Sequence, residues 1–233
     1  MYLSLIVPCY NESKNSNFLI EKISKKIKDC DMELLIVNNG STDDSSYVID
    51  KILEKNKFVS VVNIEKNIGY GHGIMTGISK AKGKFIAYTH ADLQTDPNDI
   101  FKVYDNLKEE NKNIFYKGKR VKQKLYNNIF SIGMSLVTSL YLNKKMYEIN
   151  AQPTVFHKNF ITNIEDPPID FSFDLYLYYI ALKNNYIIKR FPVFFHKRIY
   201  GEAHLKNLNT KIKYSFTIIK YVNKLRKKIK NNL

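Results

Sequence analysis

The chain has 233 residues, of which 44% are hydrophobic and 25% charged, which excludes intrinsic disorder and allows one domain with a core that needs no staples. Its 37 Lys and Arg against 22 Asp and Glu give a formal charge of +15, so an anionic partner is expected, such as nucleic acid, anionic lipid or a phosphorylated small molecule. Cys9 and Cys30 are the only cysteines, which excludes a disulfide scaffold and fits reduced thiols in the cytosol.

Residues 2–7 form a short apolar run ending at Pro8, read as a strand and a loop and not as a signal peptide, because no basic n-region precedes it. Ser13 can cap a helix with Phe18, Ile23 and Ile27 on one face. Residues 33–37 are a second strand, followed by a turn cluster rich in Asn, Gly, Ser and Asp. Helices are expected over 45–55 and 71–82, and strands over 58–64 and 84–89. A further helix follows Pro97 and runs to about Asn111. This alternation predicts an α/β fold with a mostly parallel sheet flanked by helices. Ligands of such sheets bind beyond the carboxyl ends of the strands. The polar clusters at 10–12, 38–43 and 90–96 all follow strands, so they are expected to converge there.

The second half is less regular. Helices are expected over 122–142 and 171–184, an extended stretch over 150–156 and a strand over 186–192. Residues 194–205 hold a polar and basic cluster. The weakly polar run 129–142 is broken by Ser131, Gly133, Ser135, Thr138 and Ser139, and no segment is apolar enough to span a bilayer. Residues 211–233 carry eight Lys or Arg and no Asp or Glu. Ile212, Phe216, Ile219, Val222, Leu225 and Ile229 recur there at helical steps. A basic helix with one apolar stripe suits an anionic membrane surface. The alternative is a terminal helix packed on its own domain with its lysines in water. Nucleic acid is disfavoured, since the chain has no zinc-finger spacing or RNP-type motif and its 17 Tyr and 14 Phe are spread throughout.

His90, Asp92 and Gln94 are alternate residues of an extended segment, so they can point into one site. A carboxylate and a carboxamide oxygen suit a hard divalent ion. The alternative is a polar loop before a helix capped by Asp96.

Read in order, these clusters resemble a family. Val7-Pro8-Cys9-Tyr10-Asn11-Glu12 resembles the V-P-x-Y-N-E opening of family-2 glycosyltransferases, and residues 37–43 resemble their V-D-D-G-S-x-D strand end. Residues 67–73 resemble an N-x-G-x-G-x-A loop, and His90-Ala91-Asp92-Leu93-Gln94 stands where the family has D-A-D-L-Q. Residues 198–205 are similar to the R-x-Y-G-E-S-K-L signature of the dolichyl- and polyprenyl-phosphate sugar synthase branch. The resemblance covers residues 3–205. It implies a GT-A, Rossmann-like fold and transfer from a nucleotide-sugar. It implies donor contacts at Pro8, Tyr10, Glu12, Val37, Asn39 and Ala91, and metal-site positions at His90, Asp92 and Gln94. Arg120 matches the arginine of the branch's G-T-R motif, which implies a further donor contact. Arg198 and His204 match an arginine and a lysine that meet the donor diphosphate. Developing charge on that leaving group calls for a divalent cation, Mn2+ or Mg2+, and flanking cations; an ion pair of Arg198 with Glu202 is the plainer alternative.

The chain departs from the family pattern at four places. His90 replaces the first Asp, which predicts weaker Mg2+ and relatively better Mn2+ binding. Asn38 and Asn39 replace an acidic pair, which alters base recognition. Ser131-Ile132-Gly133 replaces an S-R-G-like stretch whose arginine serves a lipid phosphate. His204 replaces a lysine. A hydroxyl acceptor needs a carboxylate base and a phosphate acceptor needs none. Asp174 is the expected base, with Asp170 and Asp166 as alternatives.

The expected protein is a metal-dependent inverting glycosyltransferase, with Asp92, Asp174 and Arg198 as catalytic residues. It would move a sugar from a UDP- or GDP-sugar to a polyprenyl phosphate or lipid-linked acceptor, peripheral on the cytoplasmic face of the membrane. The alternatives are a hydroxyl-acceptor enzyme of surface polysaccharide biosynthesis and a nucleotide-sugar-binding protein without turnover. The expected organisation is a GT-A domain over 1–205, with a donor half 1–115 and an acceptor half 116–205, and a basic amphipathic tail over 206–233.

Overall fold

The computed structural model describes residues 1–107, 112–121, 125–201 and 208–231. Side-chain alternation decides how its sheet is covered. In β1 (Leu3–Cys9) the side chains of Leu3, Leu5, Val7 and Cys9 enter one core and that of Ile6 enters another. In β2 (Met32–Asn39) Met32, Leu34 and Ile36 join the first core, while Leu35 and Val37 join the second. Both strands are therefore apolar on two sides, the pattern of a parallel sheet buried by helices on each face.

Helices α1 (Ser13–Ile27), α2 (Ser45–Lys55) and α3 (Tyr70–Lys80) alternate with β1, β2, β3 (Val59–Ile64) and β4 (Phe85–Tyr88). A 3-10 turn over Pro97–Ile100 leads into α4 (Phe101–Leu107). Then come β5 (Ile114–Val121), α5 (Leu125–Leu142), β6 (Thr154–His157), α6 (Phe173–Lys183), β7 (Ile187–Phe194) and α7 (Leu208–Asn231). The seven strands form one sheet in the order β3-β2-β1-β4-β6-β5-β7. All neighbours pair in parallel except β6, which is antiparallel to β4 and to β5. Gly77 lets α3 lie close on the sheet, because a Cβ there would come within 2.5 Å of Ile6. Pro192 is tolerated in β7 because that strand lies at the sheet edge.

The expected alternation over the first half is present. β5 is an addition, since Tyr-Lys-Gly-Lys-Arg reads as a polar basic stretch and forms a central pairing strand. The C-terminal helix differs in its inward face. Ile218, Val222 and Leu225 are buried in the second core with Tyr214 and Ile229 packed against it, whereas Ile212 and Phe216 face outward at 44% and 68% exposure. The expected stripe thus splits, and its Val222–Leu225 part covers the chain's own domain.

Candidate active site

The loops that leave the carboxyl ends of β1, β2 and β4 meet at one edge of the sheet. The first two are clasped together: the Asn11 N–H donates to Ser41 Oγ at 3.1 Å, and the Thr42 N–H donates to Asn11 Oδ1 at 2.8 Å. Asn11 adopts φ 54° to make this turn, a conformation Asn accepts more readily than most residues. Behind the clasp lies a cavity of about 510 Å³. Pro8, Tyr10, Glu12, Asn39 and Ala91 line it, as do His90, Asp92 and Gln94. Arg120, Asp174 and Arg198 complete the set of sequence-selected residues on its wall. Val37 does not join them, because its side chain is fully buried in the second core beside Gly77. His204 and Glu202 lie outside the described residues.

At one end of the cavity Arg198 bridges two carboxylates. Its Nη2 donates to Glu12 Oε1 and lies 3.7 Å from Asp92 Oδ2. Glu12 Oε2 accepts from Asn15 Nδ2 at 2.5 Å. Burial pushes the Glu12 carboxyl above the ordinary range, opposed by the Asn15 hydrogen bond and the charge of Arg198. Asp92 Oδ1 accepts the Gln94 N–H at 3.0 Å, and between them Leu93 holds φ 57° with its side chain buried. That left-handed leucine costs about 1 kcal/mol and aims Asp92 toward Arg198. His90 stacks on Tyr70 at 5.8 Å between centroids, and Tyr70 stacks on Phe171 at 5.0 Å.

His90, Asp92 and Gln94 share this wall, with a single carboxylate among them. No cluster of three His, Cys, Asp or Glu is present among the described residues. This donor set fits an ion that keeps waters and substrate phosphate oxygens as ligands, as Mg2+ and Mn2+ do, and does not fit an all-protein cage. The two asparagines divide their work. Asn38 is occupied internally, donating to Ser46 Oγ at 2.8 Å and Asn63 Oδ1 at 3.2 Å and accepting from the Ser41 N–H. Asn39 donates to the Gly69 carbonyl at 3.1 Å, and its buried Oδ1 accepts nothing from the described residues.

The other end is built around Asp174. Tyr88 Oη donates to its Oδ1 at 2.7 Å, and Tyr70 Oη and Gln152 Nε2 each donate to its Oδ2 at 3.2 Å. Lys117 Nζ lies 3.7 Å from Oδ1 and donates to Thr154 Oγ1 at 3.1 Å, with the lysine side chain wholly buried. Burial pulls the Lys117 ammonium down to about 8, opposed by the charge of Asp174 and reinforced by Arg190 and Arg120. Both oxygens of the expected base are therefore already engaged. Of the alternatives, Asp170 accepts the Ser172 N–H at 2.8 Å, and the exposed Asp166 lies 3.7 Å from Lys228; neither is on the cavity wall. Lys117, Tyr70, Tyr88 and Gln152 escaped the sequence reading. Nothing in Tyr-Lys-Gly-Lys-Arg marks which of its cations turns inward, although strand alternation would pair Lys117 with Lys119 and oppose both to Gly118 and Arg120.

Arg120 stands on the α5 side, its Nε donating to Glu148 Oε2 at 2.6 Å and its Nη2 to Ser131 Oγ at 3.4 Å. A second cleft, of about 630 Å³, lies between α1 and α4 and holds none of these residues.

Comparison with known proteins shows the family and the fold. The family model described as Glycosyl transferase family 2 matches residues 4–165. The undecaprenyl-phosphate 4-deoxy-4-formamido-L-arabinose transferase of Proteus mirabilis is 29% identical over 111 residues, which are 46% of this chain and 34% of that protein. The dodecaprenyl-phosphate galacturonate synthase of Rhizobium johnstonii is 32% identical over 108 residues, 45% of this chain and 32% of that one. The match thus spans about a third of the length of these curated relatives. Among solved structures, glucosyl-3-phosphoglycerate synthase from Mycobacterium tuberculosis, in complex with Mn2+, UDP and glucosyl-3-phosphoglycerate, superposes with a TM-score of 0.74 at 15% identity. That superposition covers 97% of this chain and 79% of the other, and it identifies the fold as GT-A.

Proposed function

The chain belongs to glycosyl transferase family 2, and on that premise we propose that it moves a sugar from a nucleoside-diphosphate sugar to the phosphate of a polyprenyl phosphate at a membrane surface. The observation that carries this reading is the engagement of Asp174 by Tyr88, Tyr70, Gln152 and Lys117. A hydroxyl acceptor must give its proton to a nearby carboxylate. Both Asp174 oxygens already accept hydrogen bonds from the protein, so neither is held open toward an incoming hydroxyl. The remaining carboxylates on the cavity wall, Glu12 and Asp92, share Arg198 at the far end. A phosphate oxygen needs no base, because it arrives ionised.

In the reaction that oxygen attacks the anomeric carbon of the donor sugar. The bond from that carbon to the diphosphate breaks, and the nucleoside diphosphate leaves with the electron pair. No proton moves, and a single displacement inverts the anomeric centre. Arg198 turns its fork toward the leaving diphosphate, where bidentate contact to phosphate oxygens is strong. A divalent cation bound at Asp92, with His90 and Gln94 beside it, would supply Lewis-acid stabilisation of the same charge. Pro8, Tyr10, Glu12, Asn39 and Ala91 form the nucleotide wall, and Asn39 Oδ1 offers an acceptor to a base N–H. Asp174 orders Tyr70 and Tyr88 and takes no proton.

Peripheral contact with the cytoplasmic membrane face is part of the same proposal. No helix among the described residues is long and apolar enough to cross a membrane. Ile132, Leu136 and Leu140 form an outward row on α5, each at least 60% exposed. α7, which packs on α5, adds exposed lysines such as Lys213, Lys220 and Lys224, which suits an anionic interface.

The test is a panel of UDP- and GDP-sugars with Mn2+ or Mg2+, with undecaprenyl phosphate in detergent as acceptor. Formation of a sugar-phospholipid with release of the nucleoside diphosphate is expected. No transfer with any donor overturns the reading.

A further inference from the structure

The acceptor end of the cavity runs into the seam between α5 and α7. Ser131, Met134 and Ser135 of α5 reach its wall from one side, and Lys211, Tyr214 and Ile218 of α7 reach it from the other. The two helices run side by side in the same direction: Arg120 and Ser131 share the cavity with Lys211 and Tyr214 near their beginnings, and Arg226 sits over the Tyr141 ring near their ends. Steps of three and four residues along each helix thus bring one cation and three hydroxyls to the same opening.

Their chemistry is that of an anion site. Asn150 Nδ2 donates to Tyr214 Oη at 2.6 Å, so the phenol accepts from the protein and keeps its own proton to donate. Burial pushes the Tyr214 hydroxyl up to about 12, which holds that proton in place at neutral pH. Ser131 Oγ already receives Arg120, so its hydrogen is likewise available. Arg120 is matched by Glu148, and Lys211 adds a second cation to the same wall. No carboxylate of α5 or α7 faces the seam, because neither helix contains Asp or Glu. The apolar row Ile132, Leu136 and Leu140 stands about 100° around α5 from Ser131 and Ser135. An anionic head held in the seam therefore has an apolar surface beside it for an attached hydrocarbon.

We infer that Lys211 and Tyr214 of α7, with Arg120 and Ser131, form the subsite that holds the acceptor phosphate monoester. This rests on the phosphate-acceptor reading and deepens it. It gives the terminal helix a binding role inside the cavity and supplies from α7 the cation that Ser131-Ile132-Gly133 lacks.

The test uses the full-length chain and farnesyl phosphate as a soluble acceptor, so that membrane attachment does not enter the readout. Lys211→Met is expected to raise KM for farnesyl phosphate about tenfold, the scale of one charge-assisted hydrogen bond, with KM for the nucleotide-sugar unchanged. Lys211→Arg should restore most of the loss, and Tyr214→Phe should raise the same KM by a smaller factor. Lys224→Met, an exposed α7 lysine away from the seam, removes the same charge and should leave both constants unchanged. Unchanged acceptor KM in Lys211→Met and Tyr214→Phe, with a wild type that uses farnesyl phosphate, overturns the subsite alone. A wild type that glycosylates 3-phosphoglycerate and no prenyl phosphate overturns the subsite together with the acceptor reading.

Discussion

The two ends of the cavity handle charge in opposite ways. At the end proposed for the donor, Glu12, Asp92 and Arg198 come from loops, are joined by ion pairs, and line the cavity. At the end proposed for the acceptor, Lys117 and Asp174 come from β5 and α6, are almost wholly buried, and are already matched. The first arrangement can exchange an internal partner for a ligand. The second holds its partners still, at the desolvation cost that any buried pair carries. On the proposed reading, chemistry is thus concentrated where the contacts are exchangeable, and rigidity where they are not.

The comparison can be broken most directly at the donor end. Asp92→Asn is expected to slow sugar transfer at least a hundredfold, the scale of losing one preorganised electrostatic contact in a transition state, while leaving the melting temperature close to that of the wild type. Initial rates and a thermal melt on the same sample check it. A large fall in stability with little loss of rate would reverse the assignment of the two ends.

At the acceptor end the order of effects should invert. Lys117→Met strands a buried carboxylate, and Asp174→Asn strands a buried ammonium, so each is expected to cost about 3–5 kcal/mol. The double variant should cost clearly less than the two combined, as a double-mutant cycle of urea melts would measure. It should still transfer to a prenyl phosphate, because no proton is taken there. Additive losses would mean that the two groups are independent.

The pH dependence sharpens the same contrast. The Lys117 ammonium titrates near 8 in the fold and near its ordinary value of 10.5 in the unfolded chain. Between those values the unfolded chain binds the extra proton, so the stability contributed by Lys117 rises with pH. Below about 8 the cost of burying the charged form is present in full. The stability of the wild type relative to Lys117→Met should therefore climb from about pH 8 toward 10.5, by at most roughly 1.4 kcal/mol per pH unit. A flat difference would remove the charged lysine from the buried end.

The smallest effect concerns the surface beside the seam. Leu136→Asp and Leu140→Asp lie at 60% and 72% exposure, so the fold should tolerate them. Each is expected to weaken sedimentation with vesicles containing anionic lipid several-fold. Unchanged sedimentation would place the membrane contact elsewhere.

The contrast also decides what was legible in the sequence. Donor-end residues lie in short contiguous motifs behind strands, so their order along the chain nearly reproduces their order around the cavity. Tyr10, Glu12, Asn39, His90, Asp92, Gln94 and Arg198 all reach the wall. Val37 is the exception, because it is the last apolar residue of its strand and its pleat turns it into the core. Acceptor-end contacts join residues far apart, such as Tyr88 and Asp174 or Lys117 and Thr154, and no local pattern records them. The terminal helix offered one apolar stripe at helical spacing, and only packing on α5 and the second core turns Ile218, Val222 and Leu225 inward while Ile212 and Phe216 face out. β5 was hidden by its own basic residues, of which Lys117 is buried against a carboxylate supplied by α6.

The bridge from Arg198 to Glu12 and Asp92 has a consequence for handling the protein. This end of the pocket carries its own counter-ion, so the charge of Asp92 beside Glu12 is opposed by that of Arg198 when no outside cation is present. Chelation should therefore leave the folded population intact even where it silences catalysis. Metal sensitivity would then be a property of turnover and not of shelf life, and a chelated preparation could be stored and reactivated by adding the ion back.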